Sequence, residues 1–265
     1  VALGGPPDLV GAGVCVPGMV DAAAGTVAFA ANFPDWPRPA PLADRLEAAL
    51  GLRPRVENDA NAALLGEIWL GAANGAADAV MLTLGTGIGS AIVCDGRLLR
   101  GAHGFAGEVG HTIFQRAGRP SPRTGVDGIL EEYVSARGLA ARARETVSMA
   151  SGAASLLAAI EPQALTSKDV FEAAAKGDAL AMELVHDTAD ILGVACINLI
   201  RVLDTAHIII GGGLAAAGDP LFDAVREAFR RHHWTLSEPT CSIVPAKLGT
   251  DAGLIGAATL ARPLT

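Results

Sequence analysis

Short apolar runs alternate with amphipathic stretches along most of this chain. Leu9–Val16 (LVGAGVCV) reads as a first strand, closed by Pro17-Gly18. Gly25–Ala30 reads as a second, and the prolines in Asn32-Phe-Pro-Asp-Trp-Pro37 forbid regular structure after it. Pro41–Leu50 has the apolar spacing of an amphipathic helix, with Pro near its first turn and Gly51 as its stop. Pro54–Asn58 is a short strand, and Ala60–Leu70 is a helix starting directly after it.

A glycine-rich bend, Gly71–Ala77, precedes the continuously apolar Ala79–Leu84, the pattern of a buried strand. That strand ends in Gly85-Thr-Gly-Ile-Gly89 and is followed by strand Ser90–Cys94, a turn at Asp95-Gly96 and strand Arg97–Arg100. Helices then dominate. Gly128–Glu145 reads as one; a second, opened by Ser167, runs over Val170–Lys176 to a stop at Gly177. Asp178 caps a long helix to Asp204, which at 1.5 Å per residue spans about 40 Å. Strand His207–Ile210 runs into Gly211-Gly-Gly213. Asp219 as N-cap with Pro220 at the first helical position starts a helix to Arg231. Strand Cys241–Pro245 and the alanine-rich helix Ala252–Ala261 finish the chain. The pattern is α/β with hairpins mixed in, without a 20–50-residue repeat.

Composition narrows the class. Of 265 residues 51% are hydrophobic and 18% charged, which excludes a disordered chain. Four scattered cysteines form no disulfide framework. A net charge of −8 argues against non-specific binding to nucleic acid or anionic membranes. No apolar run reaches the roughly 18–20 residues needed to cross a bilayer. The expectation is a soluble, cytoplasmic protein.

Candidate chemistry sits at strand ends. Gly85-Thr-Gly-Ile-Gly89 enters a strand rather than a helix, so it is no dinucleotide fingerprint, and no Gly-Lys-Ser/Thr phosphate loop occurs. Glycines still let backbone N–H groups approach a phosphate, and Thr86 adds a hydroxyl; a plain hairpin uses the same residues. The triple glycine Gly211–Gly213 suits either a planar ligand such as adenine or a simple loop. Glu57-Asn-Asp-Ala-Asn61 lies at a strand-to-helix junction, where ligands of α/β sheets bind. Asp59 there suits a general base and Asn58 a hydroxyl partner, while both are also helix-capping types. Glu108 and His111, three residues apart, share a face if their turn is helical, and Glu131 opens a helix. Such a set grips vicinal hydroxyls, although an exposed glutamate is the norm.

Together these motifs resemble the ROK family of bacterial sugar kinases and repressors, and within it the glucokinase branch. The resemblance rests on Val16-Pro-Gly-Met-Val-Asp21, Asn32-Phe-Pro-Asp-Trp36, Glu57-Asn-Asp-Ala-Asn-Ala-Ala63 and Leu82-Thr-Leu-Gly-Thr-Gly-Ile-Gly89. It continues through Asp95-Gly-Arg-Leu-Leu-Arg-Gly101, Gly107-Glu-Val-Gly-His111, Ile208-Ile-Ile-Gly-Gly-Gly213 and Asp251-Ala-Gly-Leu-Ile-Gly-Ala257. It implies an actin-like, hexokinase-type fold of two RNase H-like domains with a cleft between them. Residues 1–69 with 252–265 would form the small domain, its beginning apparently missing, and 70–251 the large one. It implies ATP-dependent phosphorylation of a hexose, glucose foremost, with Mg²⁺ and with Asp59 as base. Asn58, Glu108, His111, Glu131, Gly18 and Asn32 would meet the sugar. Gly85, Thr86 and Gly87 would meet the phosphates, and Gly211, Gly212 and Gly213 the adenosine. A homodimer is implied. The alternatives are a sugar-sensing regulator, with an upstream helix-turn-helix that would bring in nucleic acid, and a catalytically impaired sugar-binding homologue.

Two departures stand out. Family kinases carry a cysteine-rich zinc segment after the histidine; here Arg116–Ile129 has no cysteine, so no zinc is expected, and His111 needs another partner or is less well oriented. The family's opening Asp-x-Gly-Gly-Thr hairpin has no match in Val1–Leu9, so the expectation is either a gene product longer than this chain, the preferred reading, or a protein that has lost a phosphate loop.

Overall fold

The computed structural model describes residues 11–30, 33–149, 154–238 and 240–262. The chain divides into two compact units. One comprises Val1–Met81, Ala91–Gly107 and Ala246–Thr265, the other Leu82–Ser90 and Glu108–Pro245. In this division residues 70–81, 91–107 and 246–251, assigned to the large domain from sequence, group with the first unit.

The first unit opens with β1 (Gly13–Val16), β2 (Met19–Asp21) and β3 (Thr26–Phe29). Helix α1 (Leu42–Leu50) follows and ends as expected at Gly51, in the left-handed region at φ 70°. Strand β4 (Arg55–Asn58) pairs in parallel with β1, Val16 level with Asn58. Strands β2 and β3 form an antiparallel pair. The extra strand β2 escaped the sequence pattern because three residues are too short to show alternation. Val16, Val20, Val27, Ala30, Ala40, Ala43 and Val56 form the core between these elements.

Helix α2 (Asp59–Leu70) packs on the last helix, α8 (Ala252–Leu260). Both are apolar and small-residued on most faces, which lets their backbones approach closely. A Cβ on Gly256 would lie 1.6 Å from the Ala62 carbonyl oxygen, and one on Gly66 2.4 Å from that of Ala252. Glu67, fully buried on α2, accepts from the backbone N–H groups of Ala72, Lys247 and Leu248 at 2.6, 2.9 and 2.8 Å. It thereby ties the glycine bend and residues 247–248 to the first unit.

A five-stranded sheet has the order β7-β6-β5-β8-β9. It contains β5 (Ala79–Leu84), β6 (Ile88–Cys94), β7 (Arg97–Leu98), β8 (His207–Gly211) and β9 (Ser242–Pro245). Strand β6 starts two residues earlier than expected, and β7 stops at Leu98 rather than Arg100. The expected helix Gly128–Glu145 is instead two, α3 (Glu131–Val134) and α4 (Ala136–Ser148). Ser135 breaks the run in extended conformation, and its hydroxyl caps α4 by accepting from Gly138 N–H at 3.0 Å. Gly128, at φ 76°, belongs to the preceding loop.

Helix α5 (Ser167–Ala175) is capped by Thr166 and Asp169 reciprocally. Asp178 caps α6 (Ala179–Leu203) as expected, and Asp204 closes it in left-handed conformation. Helix α7 (Asp219–His232) starts at Asp219 itself, with Gly218 at the N-cap, one residue ahead of the expected cap. Helices α6 and α7 pack closely where a Cβ on Gly193 would lie 2.5 Å from the Ala228 Cβ. No described helix is long and apolar enough to cross a membrane.

Candidate active site

In the first unit, the parallel pairing of β1 and β4 brings Asn58, the last residue of β4, beside Gly18, just past the C-terminal end of β1. The Asn58 Nδ2 donates to the Gly18 carbonyl oxygen at 3.0 Å. Its Oδ1 caps α2, accepting from Ala60 and Asn61 N–H at 2.9 and 3.1 Å. The capping role is therefore real, and a sugar hydroxyl at Asn58 would accept from the second hydrogen of Nδ2. Gly18 has φ 111°, and a Cβ there would lie 2.2 Å from the Phe29 carbonyl oxygen, so only glycine fits. Asp59 is exposed at the first position of α2, its Oδ1 accepting from Ala60 N–H at 2.9 Å. Asn32 lies outside the described residues.

Beneath this junction lies a partnership the sequence did not reveal. Glu57, 2% exposed, accepts on Oε1 from Asn58 N–H at 3.0 Å and from Asn61 Nδ2 at 2.9 Å. Its Oε2 accepts a forked pair from Arg100, Nε at 2.9 Å and Nη2 at 2.6 Å. Arg100 sits just past β7, 43 residues further along the chain. Nearby, burial and then the Asp59 charge push the Cys15 thiol above its ordinary pKa.

In the second unit, Val109–His111 forms a single 3-10 turn after Glu108. Both predicted side chains are exposed, and His111 Nδ1 lies 3.3 Å from Glu108 Oε2. Glu131 is buried, not solvated: its Oε2 accepts from Ile88 N–H at 2.9 Å and its Oε1 from Arg137 Nη2 at 3.0 Å. A Cβ on Gly87 would lie 2.4 Å from Glu131 Oε2, so the glycine turn Gly85–Gly87 rests against this carboxylate. The second glycine junction joins the first. Gly212, at φ 85°, would place a Cβ 2.6 Å from the Leu84 backbone nitrogen and oxygen. Gly213 has open space where a Cβ would stand, a Cβ on Gly85 would meet only the Gly87 carbonyl oxygen at 4.0 Å, and Thr86 is exposed. The structure thus gathers Glu131 and both glycine junctions, and separately Gly18, Asn58 and Asp59.

The cysteine-free loop after His111 is held by contacts within itself and to the helices that follow it. Ile113 and Ile129 bridge its ends, and the Tyr133 hydroxyl accepts from Arg119 N–H at 2.8 Å while donating to Gln115 Oε1 at 3.1 Å. Arg119 forks onto Glu145 at 2.6 and 2.7 Å, which holds the Glu145 carboxyl below its ordinary pKa. Among the described residues no group of three or more His, Cys, Asp or Glu is placed to hold a metal ion.

Comparison with known proteins adds independent weight. Residues 5–263 match the model of the ROK family. The chain is 40% identical over 256 residues to a glucokinase of Halalkalibacterium halodurans, covering 96% of this chain and 77% of that one. It is 37% identical to a glucokinase of Thermotoga maritima, covering 94% and 78%. Its fold matches a ROK family glucokinase of Streptomyces griseus, solved with glucose and AMPPNP, with a TM-score of 0.80 and 36% identity over 96% of this chain and 81% of that one. The actin-like, hexokinase-type architecture expected from sequence is the fold this chain has. With the order of motifs, the fold and the match over nearly its full length in agreement, the chain belongs to the ROK family.

Proposed function

We propose that this protein is a sugar kinase that transfers the γ-phosphoryl group of ATP to a hexose, with glucose foremost and the 6-hydroxyl as acceptor. The observation that carries this reading is the likeness, over 96% of the chain, to a glucokinase solved with glucose and AMPPNP. AMPPNP stands in for ATP, its bridging nitrogen replacing the oxygen whose bond to the γ-phosphorus breaks.

The residues suit the chemistry. Phosphoryl transfer depends on in-line positioning and charge stabilisation more than on covalent help from the protein. Asp59 takes the proton from the sugar hydroxyl, whose oxygen attacks the γ-phosphorus as the bond to the bridging oxygen breaks and ADP leaves. Its exposure at a strand end and its position at the head of α2 support this role. Asn58, Glu108, His111 and Glu131, with Gly18 and Asn32, hold the remaining hydroxyls. Charge-assisted acceptors such as Glu131 discriminate strongly between hydroxyl patterns, because a missing hydroxyl leaves a buried carboxylate short of donors. Gly85, Thr86 and Gly87 receive the phosphates and Gly211, Gly212 and Gly213 the adenosine, consistent with the two glycine junctions lying side by side. Mg²⁺ arrives with the nucleotide as part of the substrate. No zinc is required, and the working form is a cytoplasmic homodimer, which light scattering on the purified protein checks.

A coupled ADP-release assay with glucose, mannose, fructose, N-acetylmannosamine and N-acetylglucosamine tests the reading. Turnover with glucose or another hexose supports it. Sugar binding with no ADP release from any of them points instead to the sensing or impaired alternatives.

A further inference from the structure

We propose that Arg100 and Glu57 form a positioning pair that sets the geometry of the Asn58–Asp59 junction for phosphoryl transfer; this rests on the kinase reading above. The Glu57 carboxylate is enclosed by four donors. Two come from Arg100, and the other two are the Asn58 N–H and the Asn61 amide, which flank Asp59 in the chain. The carboxylate therefore grips the backbone on one side of the base and a side chain one turn into the helix on the other. Asn58, held in this way, in turn caps α2 and clamps Gly18.

Arg100 is what keeps this arrangement viable. Removing one partner of a buried ion pair leaves an uncompensated charge, which costs more than the pair contributes. Glu57 is almost fully buried, whereas the Arg100 side chain is 44% exposed. Loss of Arg100 would drive the carboxylate toward water and drag the junction with it. The planar fork also transmits orientation, which a lysine's point charge cannot. Arg100 acts through Glu57 and not on the reacting atoms, so it is a positioning residue. A pair serving stability alone would lower the folded fraction and leave the turnover of each folded molecule untouched.

The test compares Arg100→Ala, Arg100→Lys and Glu57→Gln with the wild type, normalising activity to the folded fraction by circular dichroism. Arg100→Ala should lower kcat per folded molecule roughly 30–100-fold, the size of effect of an ångström-scale misplacement, with the KM for ATP within about twofold of the wild type. Arg100→Lys should fall between, and it carries the comparison if Arg100→Ala does not fold. Guanidinium ion at tens of millimolar should restore part of the Arg100→Ala rate, because the half-exposed site admits it, whereas methylammonium should not. Independently of turnover, amide exchange at Asn58, Ala60 and Asn61 should speed up at least tenfold in Arg100→Ala. An unchanged kcat per folded molecule overturns the proposal, as does unchanged exchange at those amides. A wild-type chain with no turnover contradicts the kinase reading alone, and the exchange measurement then decides the pair.

Discussion

Glu131 shows how far a single side chain's surroundings can depart from its residue type. It is buried, accepts from Ile88 N–H and Arg137, and has Arg123 at 3.7 Å. Glu131→Gln keeps the shape but removes the charge facing both arginines. We expect about a tenfold rise in the sugar KM with a measurable fall in Tm, since hydrogen bonds to charged groups contribute about 1.5–3 kcal/mol. Steady-state kinetics with calorimetry check this. Burial also sets the thiol chemistry: Cys241 is pushed up to about 11, and Cys196, fully buried, is raised further. Neither should react with a thiol reagent at pH 8 on the timescale of an accessible cysteine. That Asn58 and Asp59 stand at a strand-to-helix junction was legible in sequence, because a short strand meeting a helix start is a local pattern. The partnership of Glu57 with Arg100 was not, because only strand topology brings together residues 43 positions apart.

Elements in the first unit depend on backbone approach rather than on large side chains. The contact of α2 with α8 leaves no room for a Cβ at Gly256. Gly256→Val should therefore destabilise the protein by more than about 3 kcal/mol, as overpacking against backbone with no flexible side chain to yield. Urea unfolding of this variant beside Gly51→Ala, whose Cβ meets nothing within 4 Å, separates packing from the left-handed backbone alone; the latter should cost only about 1 kcal/mol. Most strands and long helices could be read from periodicity, caps and glycine stops, α6 with its Asp178 cap being a clear case. The break between α3 and α4 could not, because Ser135 acts as a cap only once the chain has turned there. The same holds for Glu67, a charged residue in an otherwise apolar helix, where the local pattern does not show that it binds three backbone N–H groups from two other segments.

At the scale of the molecule, charge sets the acid limit. Glu145 is held below its ordinary pKa by Arg119, and Asp169 by the Thr166 hydroxyl and backbone. In Asp178, burial opposes the charge, but hydrogen bonds from Ala181, Leu156 and Ser155 together outweigh it and lower the pKa. Each carboxylate binds its proton more weakly in the fold than in the unfolded chain. Their stabilisation is therefore full above the unfolded values and is lost as pH falls through the native ones, so Tm should be flat from about pH 7 to 5 and drop below about pH 4. A zinc-selective chelator should leave both Tm and turnover unchanged, since the loop after His111 is held by Tyr133, Gln115 and the Arg119–Glu145 fork. Phosphoryl transfer to a hexose with Asp59 as base is the activity we propose for this protein. It meets its most direct test in ADP release at saturating glucose and Mg-ATP, wild type beside Asp59→Asn. The expected result is sustained release by the wild type and a loss of roughly 10²–10⁴-fold in the variant, with glucose binding retained. Release that survives Asp59→Asn at the wild-type rate would contradict it.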